Sequence, residues 1–262
     1  MGQTFELVTV EHHGHVADLT LNRPQAHNAL STAMAAEIAS AAATLAADSA
    51  VRAVVLSAMG EKAFCVGADL KERNSYSDAD LMRQRPIFRA AFGGILDLPM
   101  PTVAAVHGFA LGGGFELALS CDLIVADETA VLGLPEVTVG VVPGGGGTQL
   151  LLRRVGSARA ADLVLTGRRI DIDEAERLGL VDRRAPTGEA RKAALELAGQ
   201  IAANSPVGLR NAKRALRAGA GLDLAAALDV EDSAWRATAF SGDRREGVAA
   251  FNEKRRPSWP GE

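Results

Sequence analysis

Thr102-Val103-Ala104-Ala105-Val106-His107 runs into Gly108-Phe109-Ala110-Leu111-Gly112-Gly113-Gly114-Phe115-Glu116, and Cys121-Asp122-Leu123-Ile124-Val125-Ala126 follows. The first run is short and apolar with β-branched residues, which reads as a strand. The glycines read as a loop, a helix starts at Gly113 or Gly114, and 121–126 reads as the next strand. Strand, glycine turn, helix and strand in close succession define an α/β fold.

The same alternation extends towards the N-terminus. Residues 5–22 alternate apolar and polar positions around His13-Gly14, as in a β-hairpin that Asn22-Arg23-Pro24 ends. Met34, Ile38, Ala42 and Leu45 share one face of a helix over 31–47, with Ser31 or Thr32 as cap. Val51–Ser57 is a short strand, and Ala63–Leu70 turns through Gly67. Residues 72–86 are polar and irregular and read as a mobile loop or short helix over a cleft. A helix near 87–96 stops before Pro99 and Pro101. After Gly147 the chain turns mostly helical, with helices near 148–154, 157–165, 173–178, 187–203, 206–218, 223–239 and 243–255. The boundary falls near 190–205, giving a core of 1–195 and a helical region of 196–262.

Bulk composition narrows the function classes. Of 262 residues, 48% are hydrophobic but only 4% aromatic, so Ala, Val and Leu fill the core. The net charge of −4 comes from 28 basic and 32 acidic residues mixed along the chain, without the basic footprint of a nucleic-acid binder. No apolar stretch is long enough to span a bilayer and no signal-peptide pattern opens the chain. Cys65 and Cys121 sit in apolar surroundings and read as buried thiols of a cytoplasmic protein.

Two glutamates carry the chemistry. Glu116 closes the glycine run, and Glu136 lies in Gly133-Leu134-Pro135-Glu136, ahead of Pro143-Gly144-Gly145-Gly146-Gly147-Thr148. A pair of carboxylates beside exposed backbone amides suits acid–base chemistry on a carbonyl compound. The Gly113 amide opens a helix, where N–H groups lack internal partners. Gly67-Ala68-Asp69 makes a second turn after a second strand, and Ala68 is its candidate donor. Two such donors on one oxygen form an oxyanion hole, where losing one costs roughly 10²–10³ in rate.

Phe64-Cys65-Val66-Gly67-Ala68-Asp69-Leu70, His107 through Glu116, and Pro135-Glu136 through Thr148-Gln149 resemble the signature of the crotonase (enoyl-CoA hydratase) superfamily. Asn22-Arg23-Pro24 through Asn28-Ala29-Leu30 and the tail Phe251-Asn252-Glu253-Lys254-Arg255-Arg256-Pro257 fit it too. The resemblance implies a spiral of ββα units followed by a helical trimerisation region, working as a homotrimer or a dimer of trimers. It implies an acyl-CoA thioester substrate and no separate cofactor or metal. Ala68 and Gly113 would hold the thioester oxygen. Val66 and the segment Ala68, Asp69, Leu70 and Lys71 would line the coenzyme A site, with Lys254 reaching its phosphates across a subunit boundary. Glu116 and Glu136 would add water across the 2,3 double bond, Glu136 chiefly as proton donor and Glu116 as water activator. Members that isomerise commonly lack one of the two acids, so the pair favours hydration over isomerisation.

Gly67 through Arg73 further resembles methylglutaconyl-CoA hydratases, some of which bind AU-rich RNA through a lysine-rich helix. Here Asn74-Ser75-Tyr76-Ser77-Asp78-Ala79-Asp80 has no lysine, which argues against RNA. Phe115 stands where a smaller residue is usual, either shaping the acyl pocket or packing in the core. His27 replaces an apolar residue and reads as a surface neighbour of the adenine site. Glu11-His12-His13-Gly14-His15 suits a hairpin tip better than a metal cage.

Overall fold

The computed structural model describes residues 5–262. The N-terminal alternation forms β1 (Val8–His13) and β2 (Val16–Leu21), paired antiparallel with Val8 opposite Leu21. A 3-10 turn at Pro24–Ala26 leads to α1 (Thr32–Ala47), whose first turn is capped by the Ser31 hydroxyl accepting the Met34 N–H. Then come β3 (Ala53–Ala58), β4 (Ala63–Cys65), α2 (Leu70–Arg73), α3 (Asp78–Leu96), β5 (Thr102–Val106), β6 (Phe109–Leu111) and α4 (Gly113–Ser120). These are followed by β7 (Leu123–Asp127), β8 (Val131–Gly133), a 3-10 turn at Pro135–Val139, α5 (Gly147–Val155) and α6 (Ser157–Thr166). The chain ends through β9 (Arg169–Asp171), α7 (Ile172–Arg177), β10 (Arg183–Ala185), α8 (Ala190–Ala202), α9 (Pro206–Gly219), α10 (Leu224–Ala239) and α11 (Gly242–Glu253).

Among the described residues the strands form two sheets. One has the order β1-β2-β3-β5-β7-β10, the other β4-β6-β8-β9. Pairing is parallel except at β1–β2 and β8–β9. Alternate residues of the large sheet divide between two cores, as the period of a strand requires. Ala17, Leu19, Val54, Leu56 and Ala104 join the main core with α1 and α3, while Val16, Val55, Val103 and Val125 meet α8. The second sheet is built of three-residue strands, too short for periodicity to reveal; the sequence reads 63–70 as a turn and 133–136 as loop-forming.

Of the loop or short helix read over 72–86, helix is what forms: α2 and α3 occupy most of the segment, and α3 is one continuous helix of 19 residues. Its start is fixed by a capping box in which Ser77 Oγ accepts the Asp80 N–H and the Asp80 carboxylate accepts the Ser77 N–H. Pro86, which ordinarily breaks a helix, is carried inside it. The division at 195 falls inside α8, whose Ala194, Leu197, Ala198 and Ala202 pack on the large sheet. Helices outside the sheet layers begin at Pro206.

Candidate active site

The N-terminal Asn-Arg-Pro motif is a scaffold for the turn that carries Ala68. Buried Asn28 donates through Nδ2 to the carbonyls of Met59 (2.9 Å) and Ala63 (3.0 Å), and its Oδ1 accepts the Arg23 N–H (2.8 Å). Leu30 then bridges Ala68: its N–H donates to Gly67 O (2.8 Å), and its carbonyl accepts the Asp69 N–H (2.9 Å). In extended backbone the intervening Ala68 N–H faces the other way, towards the cavity that Ala68 lines. Asp69 caps α2 by accepting the Lys71 and Glu72 N–H groups, and its other oxygen lies 2.6 Å from Arg23 Nη1. Burial raises the Asp69 pKa, yet Arg23 and these amides hold it below the usual carboxylate value.

The second turn meets the first backbone to backbone. Gly67 (φ +89°) and Gly112 (φ +52°) occupy the left-handed region. A Cβ on Gly67 would stand 2.9 Å from Leu111 O and 3.2 Å from Gly113 N, so only glycine permits the approach. Gly113 is the first residue of α4, and its N–H has no acceptor within the helix. The Gly112 N–H donates to Gly133 O (2.9 Å), tying this turn to β8 and so to the Pro135–Val139 turn that carries Glu136.

Both glutamates reach the resulting cavity of 710 Å³. Glu116 is 3% exposed, and its Oε1 accepts the N–H groups of Gly145 (2.7 Å) and Gly147 (2.8 Å). Burial raises its pKa, opposed by the Gly147 and Gly145 amides and by Arg85. Glu136 is half-buried, with Oε2 buried and unpartnered. Burial, with the charge of Glu116 added, pushes its pKa up to about 7.

The cavity brings together Glu116, Glu136, Ala68, Gly113, Val66 and Leu70. Asp69, Lys71 and Lys254 do not line it; Lys254 takes the left-handed cap position at the end of α11. Phe115 is fully buried in the main core and does not line the cavity either, which decides between its two readings. His27 is exposed and accepts the Val66 N–H on its carbonyl (3.3 Å). At the hairpin tip His15 Nδ1 lies 2.9 Å from Ala50 O and His13 lies 3.7 Å from Glu11. Cys65 and Cys121 are free, buried thiols whose pKa values burial pushes up to about 12. Among the described residues no helix is long and apolar enough to cross a membrane.

The segment read as lying over a cleft does form one wall, though as a long helix whose cavity-facing residues the sequence did not single out. Leu81, Gln84, Arg85, Phe88 and Phe92 of α3 line the cavity, and their spacing is helical once Pro86 is disregarded. Val139, Val141 and Val142 face it from the segment after Glu136.

Paired carboxylates, one held by backbone amides, beside two glycine-shaped turns on an α/β scaffold are an arrangement suited to acid–base chemistry. The chain belongs to the enoyl-CoA hydratase/isomerase family, whose sequence profile matches residues 11–262. Mouse enoyl-CoA hydratase domain-containing protein 2, mitochondrial, is 41% identical over 250 residues, covering 94% of this chain and 84% of the relative. The crystal structure of enoyl-CoA hydratase from Bacillus anthracis superposes with a TM-score of 0.95 at 40% identity, covering 98% of this chain and 100% of that one. That of enoyl-CoA hydratase from Mycobacterium tuberculosis H37Rv gives 0.89 at 36% identity, covering 98% and 99%. The architecture is the α/β crotonase fold.

Proposed function

We propose that this protein adds water across the 2,3 double bond of enoyl-CoA thioesters. The observation that carries the reading is that Glu116 and Glu136 open on one cavity beside the Ala68 and Gly113 amides. The thioester oxygen sits between those two amides, which stabilise the negative charge it gains when the β carbon is attacked. Coenzyme A lies along Val66, Ala68 and Leu70, with Asp69 holding that turn in shape.

The two acids divide the work by environment. Burial raises the Glu116 pKa and the Gly145 and Gly147 amides oppose it; in its ionised form the free oxygen takes a proton from water as the water oxygen bonds to the β carbon. Glu136, with a pKa of about 7, holds a proton near neutrality and delivers it to the α carbon. The enolate takes that proton to give the saturated 3-hydroxyacyl thioester. Glu116 releases its proton to solvent while Glu136 regains one, which restores both acids. One water is consumed, and no redox step is involved.

Loss of the enoyl-thioester ultraviolet absorbance with crotonyl-CoA tests the reading. Inactivity across short, medium and branched 2-enoyl-CoAs would sink it, and product analysis with a 3-enoyl-CoA separates isomerisation. We also propose assembly into trimers through the apolar outer faces of the C-terminal helices. Leu216, Leu224, Trp235, Phe240 and Phe251 there are exposed, and light scattering of the purified chain checks the mass.

A further inference from the structure

The Ala68 amide can act on a thioester oxygen only while its turn keeps one direction. On one side Leu30 holds that turn, through the Gly67 carbonyl and the Asp69 N–H. On the other side the chain enters α2, and a helix of four residues has little stability of its own. Glu72 of α2 supplies an outside tie. Its carboxylate accepts the N–H of Thr32, whose nitrogen lies 2.9 Å from Oε2 and 3.2 Å from Oε1. Thr32 is the first residue of α1. First-turn N–H groups lack acceptors within their helix and carry the positive end of its dipole, which makes a carboxylate the favoured partner.

The contacts close a circuit around Ala68. It runs through Asp69 and α2 to Glu72, across to Thr32, back through Ser31 to Leu30, and across to Ala68 again. The side chains at the junction are fixed as well. Buried Gln84 of α3 donates through Nε2 to Thr32 Oγ1 (2.7 Å) and Glu72 Oε2 (3.3 Å), and its Oε1 accepts the Arg73 Nε–H (2.9 Å). The Tyr76 hydroxyl lies 2.9 Å from Thr32 Oγ1. Glu72 itself does not line the cavity, so any effect it has on a bound thioester passes through the turn.

We propose that Glu72 is a positioning residue for the Ala68 donor. By docking α2 on the start of α1 it fixes the direction of the Ala68 N–H, and the thioester carbonyl is polarised less when that contact is lost. This rests on the enoyl-CoA hydratase reading above. A tilted amide still donates, so the cost of losing Glu72 lies below the roughly 10²–10³ in rate of losing an oxyanion donor outright.

The test has two readouts on the full-length chain. The first is hydration of crotonyl-CoA. Glu72→Ala should lower kcat about tenfold and move KM less than about threefold, because the interaction lost is made chiefly to the developing oxyanion. The second is the ultraviolet band of bound 2,4-hexadienoyl-CoA, read in a Glu136→Gln parent that slows its hydration. Hydrogen bonds to the thioester oxygen draw charge along the diene and move the band to longer wavelength, and Glu72→Ala should shrink that shift. Glu72→Gln keeps an oxygen for the Thr32 N–H and should retain most of both.

Thr32→Pro deletes the donor instead of the acceptor. Proline is favoured at the first position of a helix, and Ser31 before it is already extended (φ −77°, ψ 164°), as a following proline requires. This variant should reproduce the Glu72→Ala losses, and the double variant should be no worse than the worse single. Thr32→Ala, which keeps the N–H, should lose less. Unchanged kcat and band in Glu72→Ala and Thr32→Pro, with only the melting temperature lowered, would make Glu72 a plain helix cap and overturn the proposal. So would a parent that shows no band shift, since it holds no polarising amide to position. A parent that shifts the band while the wild type hydrates no enoyl-CoA ends the hydratase reading alone, and the variants still decide the role of Glu72.

Discussion

The Gly147 N–H and Glu116 Oε1 meet at 2.8 Å, so a carboxylate lining the cavity is held by the first residue of α5. The approach leaves no space for a side chain. A Cβ on Gly147 would stand 2.9 Å from Glu116 Oε1 and 3.0 Å from both Leu134 and Pro143. Gly147→Ala should therefore misplace Glu116 and lower kcat on crotonyl-CoA by about 10²-fold, the scale of a lost acid–base group. Turnover within a factor of two of wild type would show that Glu116 does not depend on this amide.

Glu136 should impose its titration on both activity and stability. As proton donor it must be protonated, so kcat/KM should fall as pH rises through about 7. Glu136→Gln should lose about 10²–10⁴-fold in kcat and lose that limb of the profile. Its folded pKa is raised above the ordinary value of 4.5, so the unfolded chain releases the proton first. Between pH 4.5 and 7 wild-type stability then declines with rising pH, and below 4.5 this group contributes nothing. Glu136→Gln should accordingly melt above wild type at pH 8, and the gap should close at pH 4. A variant that melts lower at pH 8 would contradict the burial penalty.

Much of this site is legible in the sequence because each part is local. Glycine turns after apolar strands announce Ala68 and Gly113, and Glu116 follows one turn later on the same helix. Glu136 is harder to find from residues alone, because β8 is three residues long and the Pro135–Val139 turn has no periodicity. The full length of the α3 wall was hidden for a definite reason: Pro86 and a run of charged residues mask a helix that its Ser77–Asp80 capping box nucleates. From its place in the turn Asp69 reads as a residue that caps or pins it as well as a coenzyme A neighbour, and the cap is what forms. Its commitment to the α2 cap and to Arg23, distant in sequence, depends on the Asn28 scaffold, which no spacing rule predicts.

Gly114 and Gly199 offer a matched contrast on two helices. A Cβ on Gly114 would stand 2.0 Å from Cys65 O and 2.8 Å from Cys65 Cβ, so α4 could not rest on β4. Gly114→Ala should cost about 1–3 kcal/mol or more, as overpacking does, and lower the urea midpoint together with activity. Gly199 in α8 has nothing within 4 Å of its Cβ position. Gly199→Ala should raise the midpoint, gaining about 0.5–1 kcal/mol from helix propensity. Equal effects at the two sites would mean that backbone packing at Gly114 is not what restricts it.

Asp122, just ahead of β7, is a carboxylate on which two cations of α9 converge. Lys213 of α9 reaches it at 2.7 Å and also donates to Met100 O (2.8 Å), while Arg217 lies 2.7 Å from its other oxygen. Thr102 donates to it through both its N–H (2.8 Å) and its hydroxyl (3.0 Å). Burial raises the Asp122 pKa, but Lys213 and Arg217 outweigh that and hold it below its usual value. The two ends of the pair are not equivalent. Asp122→Ala strands Lys213, only 7% exposed, beside Arg217 with no anion, and should cost roughly 3–5 kcal/mol, the scale of a broken buried pair. Lys213→Met keeps the apolar stem and leaves Asp122 with Arg217 and Thr102, so its cost should stay below about 1.5 kcal/mol. Urea denaturation of both variants at one pH reads the difference. A larger loss for Lys213→Met would place the anchor on the ammonium rather than on the shared carboxylate.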